Sequence, residues 1–161
     1  MHIEAMQEMK RIVSGLGLGC ANVLDVGSYD VNGSYRGMIE SRGWKYTGLD
    51  VSSGPNVDLV SEDKYSFPIG DGEYDLVITG STMEHVEAIW LWIPELVRVL
   101  STGGHLVILT HTSWEYHPYP VDCWRIMPDG MMYLLESTGV LSDIEISMFS
   151  RKDISAVARK I

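Results

Sequence analysis

Short apolar runs recur along the chain, separated by helical or turn-rich segments. Five of them read as strands: NVLDV at 22–26, KYTGLD at 45–50, VDLV at 57–60, YDLVITG at 74–80 and GHLVILT at 104–110. They are short, rich in Val, Leu and Ile, and mostly apolar on both faces. That is the pattern of parallel strands covered by helices on each side. Before the first run, Ile3, Met6, Met9, Ile12 and Val13 recur at helical spacing, with charged residues between them. The same spacing returns over 34–43 and 87–100, where Ile89, Leu96, Val97 and Leu100 form the apolar stripe. Trp90 and Trp92 in that segment read as core or as a dimer face, and their helical spacing favours the core. STGG at 101–104 is expected to stop the helix through a glycine cap. MPDGMMYLLESTG at 127–139 predicts another helix, with Pro128 at its start and Gly139 just past its end. Two alternating runs, 142–149 and 153–160, predict a terminal antiparallel pair.

After the N-terminal helix the order is therefore βαβ(α)β(α)βαβαββ, with optional helices after the second and third strands. This alternation predicts the α/β class and one Rossmann-like doubly wound sheet in a three-layer α/β/α arrangement. No repeat, low-complexity tract or linker divides the chain. The expected organisation is a single domain over 1–161, with residues 1–18 as a helix packed on the core.

Composition narrows the function. The 161 residues carry a formal net charge of −10. That balance argues against nucleic-acid and anionic-membrane partners, because phosphate affinity rests on Lys and Arg. Cys20 and Cys123 fit neither a disulfide framework nor metal spacing and read as plain thiols. No secretory signal is visible, and no apolar run approaches the ~18 residues of a membrane span. The expectation is a cytoplasmic protein, monomeric or homodimeric.

In open α/β sheets, ligands bind beyond the carboxyl ends of the strands, so the residues just after each strand carry the chemistry. After the first strand comes DVGSYDVNGSY, from Asp25 to Tyr35. Gly27 and Gly33 allow a tight turn and close backbone approach to a ligand, but Tyr29 stands where a dinucleotide motif has its second glycine. Asp25 would repel a pyrophosphate placed here and welcome a cationic amino group. Asp50 ends the second strand, where a carboxylate accepts hydrogen bonds from ribose hydroxyls. SED at 61–63 supplies acids for an exocyclic amine, and TGSTMEH at 79–85 follows the fourth strand.

VLDVGSYDVNGSY, YTGLDVS, SFPIGDGEYDLVITGSTMEHV and ELVRVLSTGGHLVIL, taken in order, resemble the class I S-adenosylmethionine-dependent methyltransferases, in their small-molecule methyltransferase-domain branch. The resemblance runs from about Asn22 to Leu109. It implies a seven-stranded, mostly parallel sheet with the last strand antiparallel, and S-adenosyl-L-methionine as cofactor. Asp25, Gly27, Ser28, Tyr29, Gly33 and Ser34 would then surround its methionyl part. Asp50 and Val51 would lie at the ribose, Glu62 near adenine and Ser81 beside the sulfonium. The sequence departs from the family in SYDVN between the glycines and in STGG for the usual KPGG.

The implied reaction is methyl transfer to an oxygen or nitrogen of a small-molecule acceptor, a sugar or secondary metabolite. A hydroxyl nucleophile needs a proton acceptor, and His85, His111 and His117 all follow strand ends. His117 or His85 is the expected base, with Asp122 orienting an imidazole or holding substrate. These residues match no known metal spacing, and no metal is expected. The run WEYHPYPVDCWR at 114–125 follows the fifth strand, where the family builds its acceptor pocket. Similar His-Pro-Tyr-Pro-x-Asp-x-Trp-Arg runs occur in this branch. His111, Tyr116, Trp124 and Arg125 are the acceptor-binding candidates. The same run also reads as a proline-stiffened lid with Asp122 and Arg125 paired.

Nucleic-acid methyltransferase motifs are absent: TGSTM stands where amino-methylating enzymes have [DN]PP[YF], and the Pro-Cys nucleophile is missing. A nicotinamide oxidoreductase is disfavoured by Asp25 and by the lack of a substrate domain. A non-catalytic cofactor-binding or partner-activating module is the alternative.

Overall fold

The computed structural model describes residues 3–161. The chain forms β1 (Asn22–Val26), β2 (Lys45–Asp50), β3 (Leu59–Val60), β4 (Tyr74–Gly80), β5 (Leu100–His111), β6 (Leu141–Met148) and β7 (Asp153–Lys160). Four helices accompany them: α1 (Ile3–Gly15), α2 (Arg36–Glu40), α3 (Ile89–Val99) and α4 (Pro128–Glu136). The strands make one sheet in the order β3-β2-β1-β4-β5-β7-β6. β1 to β5 run parallel, and β7 lies antiparallel between β5 and β6. The expected seven-stranded sheet with its last strand reversed is what forms.

Side-chain alternation along the central strands explains the three layers. Leu24, Val77 and Ile108 face one apolar cluster, which Trp92, Ile93 and Leu96 of α3 and Met131 of α4 complete. Their neighbours Val23, Leu76, Ile78 and Val107 face the other cluster, with Met9, Ile12 and Val13 of α1 and Ile39 of α2. Each strand thus buries both faces, as its apolar composition requires. Trp92 is in the core as expected, but its neighbour Trp90 is exposed and packs edge-on against Trp124.

Some expectations change. Residues 101–104 do not cap α3; the chain passes from Val99 straight into β5, where Leu100 pairs with Tyr74 and a register shift follows. Gly103, at φ +82°, lies within that irregular stretch of β5. β3 is only two residues long. Asp58 donates its amide to the Gly48 carbonyl at 2.8 Å, but its carboxylate takes the Gly48 amide (2.8 Å) and Arg36 (2.6 Å), so the ladder with β2 begins only at Leu59. The optional helices after β2 and β3 do not form, since both connections are rich in Gly, Pro and Ser.

Strand order reverses between β1 and β4, which opens a crevice at their carboxyl ends.

Candidate active site

A cavity of about 690 Å³ occupies that crevice. The loop after β1 forms its floor. The Gly27 and Ser28 amides donate to the Leu49 carbonyl at 2.9 and 3.1 Å, folding the loop against β2. Gly27 has φ +81°, and a Cβ there would fall 2.1 Å from Thr82 Oγ1. Only glycine fits that position. Gly33 turns the chain again at φ +113°, its amide donating to Asp30 Oδ1. Ser28, Tyr29, Gly33 and Ser34 all line the cavity.

Asp25 lies at the cavity floor, 3% exposed. Its Oδ2 accepts the Tyr46 hydroxyl at 2.5 Å, and Tyr46 in turn accepts from the Asn56 amide at 2.8 Å. Burial pushes the Asp25 carboxyl up to about 7, against the Tyr46 hydrogen bond, with further help from Asp50. A bound cation would reverse this shift.

Asp50 and Val51 line the next part of the wall. Asp50 also ties its own strand to the glycine loop: Oδ2 accepts the Tyr29 amide at 3.0 Å and Oδ1 the Ser52 amide at 3.3 Å. Beyond β3 the placement differs from expectation. Ser61 and Asp63 line the cavity, whereas Glu62 is exposed and faces a separate depression with Lys64 and Glu87. Glu62 lies in the bend that follows β3, with its side chain exposed. Ser81 borders the cavity in a left-handed conformation (φ +55°), its amide donating to the Leu109 carbonyl at 3.0 Å.

The far wall comes from the 3-10 turn Met83–His85 and the run after β5. His85, His111 and His117 gather there. The His117 ring centroid lies 5.0 Å from His85 and 6.2 Å from His111. Their chemistry differs. His85 Nδ1 lies 2.6 Å from the Val121 carbonyl, and His117 Nδ1 2.9 Å from the Glu115 carbonyl. A carbonyl accepts only, so Nδ1 donates in each ring and Nε2 is the nitrogen left for a ligand, with Arg125 Nη2 also 3.5 Å from His117 Nδ1. His111 is buried, with Nδ1 2.5 Å from Asp153 Oδ1 and Nε2 3.2 Å from Glu84 Oε1. Burial opposes its charge, but the two carboxylates outweigh burial and raise its pKa. Both ring nitrogens of His111 are thus engaged by carboxylates.

Of the acceptor-binding candidates, only His111 borders the cavity. Tyr116 is 77% exposed, and Trp124 donates Nε1 to the Val86 carbonyl at 2.8 Å, outside the cavity. Arg125 pairs with Asp122 through two contacts of 2.6 and 2.8 Å and donates to the Trp114 and Glu115 carbonyls. Asp122 also accepts the His117 amide at 2.8 Å, and its side chain is 1% exposed. The Arg125 guanidinium holds its carboxyl well below the usual range. Asp122 thus pins the backbone of His117 and sits 3.3 Å from its Nδ1, an orienting position. Of the aromatic residues in the run 114–125, Trp114 and Tyr119 face the cavity. Trp114 stacks on His111 at 5.0 Å. Glu84, fully buried behind the histidines, also went unread in the sequence.

Residues 24–108 match the family model described as a methyltransferase domain. Among curated proteins, ajmaline N-methyltransferase of Rauvolfia serpentina is 34% identical over 35% of this chain. Norajmaline N-methyltransferase of the same plant is 35% identical over the same share. The match spans only 22% of the length of each relative. A SAM-dependent methyltransferase from Archaeoglobus fulgidus superposes with a TM-score of 0.76 at 16% identity, covering 96% of this chain and 92% of that one. The 1,6-didemethyltoxoflavin-N1-methyltransferase of Burkholderia thailandensis, with 1,6-didemethyltoxoflavin and S-adenosylhomocysteine bound, gives 0.76 at 17%, covering 97% and 78%. At these identities the superpositions establish the fold.

Proposed function

The chain belongs to the methyltransferase-domain family, and from that premise we propose that it transfers the methyl group of S-adenosyl-L-methionine to an oxygen or nitrogen of a small-molecule acceptor. The observation that carries this reading is the polarity of one continuous cavity. Asp25 and Asp50 line its β1–β2 side, and the imidazoles of His85 and His117, each held at Nδ1 by a backbone carbonyl, line the far wall. The residues fit the cofactor's chemistry. Asp25 is a buried carboxylate that lacks a cation, and Asp50 keeps acceptor capacity toward vicinal hydroxyls. The close approach at Gly27 leaves a backbone-lined floor.

The cofactor supplies an electrophilic methyl carbon on a sulfonium. The chain's contribution is alignment of the acceptor, which by proximity supplies a large part of the acceleration. His85 or His117 takes the acceptor's proton on Nε2 as the new bond forms, a role worth roughly 10²–10⁴-fold. Trp114 and Tyr119 offer flat apolar walls suited to a ring or sugar. The names of the plant relatives and of the Burkholderia enzyme fit a small acceptor with a nucleophilic nitrogen.

Incubation with methyl-labelled cofactor and a panel of hydroxyl and amine acceptors tests the reading. Transfer should be lost in His85→Ala/His117→Ala while cofactor affinity stays unchanged. Undiminished transfer in that double variant overturns the histidine assignment. Tight cofactor binding with no transfer across the panel favours a non-catalytic module.

A further inference from the structure

We propose that Glu84, His85 and His117 form a site for a divalent transition-metal cation of the zinc type at the acceptor end of the cavity. One carboxylate oxygen and one nitrogen from each imidazole lie within 4.8 Å of one another. Both imidazoles are prepared as ligands. Each has Nδ1 against a backbone carbonyl, Val121 for His85 and Glu115 for His117, which fixes the tautomer and aims the Nε2 lone pair. Support of the non-ligating ring nitrogen by a carbonyl or carboxylate accompanies almost every metal-bound histidine.

Glu84 supplies an independent observation. Its side chain is fully buried, and Oε2 accepts the Thr110 hydroxyl at 2.9 Å. Oε1 makes no hydrogen bond; His111 Nε2 lies 3.2 Å away but outside hydrogen-bonding geometry. Oε1 is paired in charge with His111 but keeps acceptor capacity outside any hydrogen bond, which a cation can share. Two imidazoles and one carboxylate suit zinc and its neighbours rather than magnesium or calcium, which take oxygen ligands.

Three protein ligands leave positions open toward the cavity, the arrangement of a working rather than a closed structural site. An acceptor oxygen or nitrogen fits such a position, in the cavity that Ser81 also lines. Ligands at ~2.0–2.1 Å from a tetrahedral ion stand about 3.4 Å apart, so the three side chains must draw together. His117, on an irregular run and 36% exposed at its side chain, has room to do so. With the cation bound the imidazoles are ligands; without it, the same lone pairs are proton acceptors. The site stands whether or not a methyl group is transferred.

The test uses chelator-stripped protein carrying Cys20→Ser and Cys123→Ser, which removes the exposed thiols as competing ligands. Zinc chloride is titrated against a chromophoric chelator near neutral pH. The expected result is one equivalent bound, weakened about tenfold or more in each of His85→Ala, His117→Ala and Glu84→Gln. Cobalt(II) in place of zinc should give the visible absorption of a four- or five-coordinate ion, abolished in His85→Ala. Absence of stoichiometric binding, or equal affinity in His85→Ala/His117→Ala, overturns the proposal. If Glu84→Gln fails to fold by near-ultraviolet circular dichroism, the two histidine variants decide the matter.

Discussion

Tyr46 donates its hydroxyl to Asp25 at 2.5 Å, and that pair sits at the floor of the cavity. Asp25 is buried enough that its carboxyl titrates near 7 in the free protein. A cofactor ammonium that requires the carboxylate must expel this proton. Affinity should therefore rise by up to about tenfold per pH unit toward 7 and level off above it. Calorimetry in buffers of different ionisation enthalpy would show proton release below pH 7, and Asp25→Asn should flatten the profile.

The same shift sets a stability trend in the ligand-free protein. A carboxyl raised from about 3.9 to about 7 on folding stabilises the fold only while protonated. Its contribution is fully present below about pH 4 and lost as pH rises through 7. Asp25→Asn removes the charged form, so its melting temperature should exceed that of the wild type most clearly above pH 7.

Gly27→Ala should cost about 2–4 kcal/mol, combining a left-handed backbone with a Cβ driven into Thr82. Adding Thr82→Gly should recover the steric part and leave the backbone part. Denaturant unfolding of the two variants separates the terms.

Ser81 has the opposite problem, because a side chain occupies a left-handed position at φ +55°. Ser81→Gly should stabilise the free protein by roughly 0.5–1 kcal/mol, the relieved strain exceeding the added entropy of the unfolded chain. A fall in the denaturation midpoint would contradict that.

Arg125→Ala strips the nearly buried Asp122 carboxylate of its charged partner. The expected loss is about 2 kcal/mol, concentrated in residues 112–126. Amide exchange should quicken at His117 and Cys123, whose N–H groups are held by Asp122 and the Glu84 carbonyl, and stay unchanged in β1 and β4.

Apolar runs carried most of the fold. β1, β2 and β4 have the bounds that their runs predict, because each buries both faces and the polar flanks cannot. β3 and the start of β5 were less legible, since Asp58 and Gly103 act through partners distant in sequence. Asp25, Gly27, Asp50 and Ser81 meet at one cavity because a doubly wound sheet sends strand ends to one place. The placement of Tyr116, Trp124 and Arg125 outside the cavity lining was not legible. In an irregular run there is no period to say which side chains face inward, and long-range pins such as Cys123 to the Glu84 carbonyl decide it. Glu62 lies in the bend after β3 and turns outward, and Glu84 was hidden by a single turn of 3-10 helix.

The most direct test of the account is calorimetric titration of S-adenosylhomocysteine into wild-type protein and Asp50→Ala. Asp50 is the residue expected to hold the ribose, through hydrogen bonds worth about 1.5–3 kcal/mol. The prediction is one molecule bound per chain, with affinity lowered roughly 10–100-fold in Asp50→Ala. No saturable binding, or equal affinity in the two proteins, would contradict the placement of the cofactor at the ends of β1 and β2.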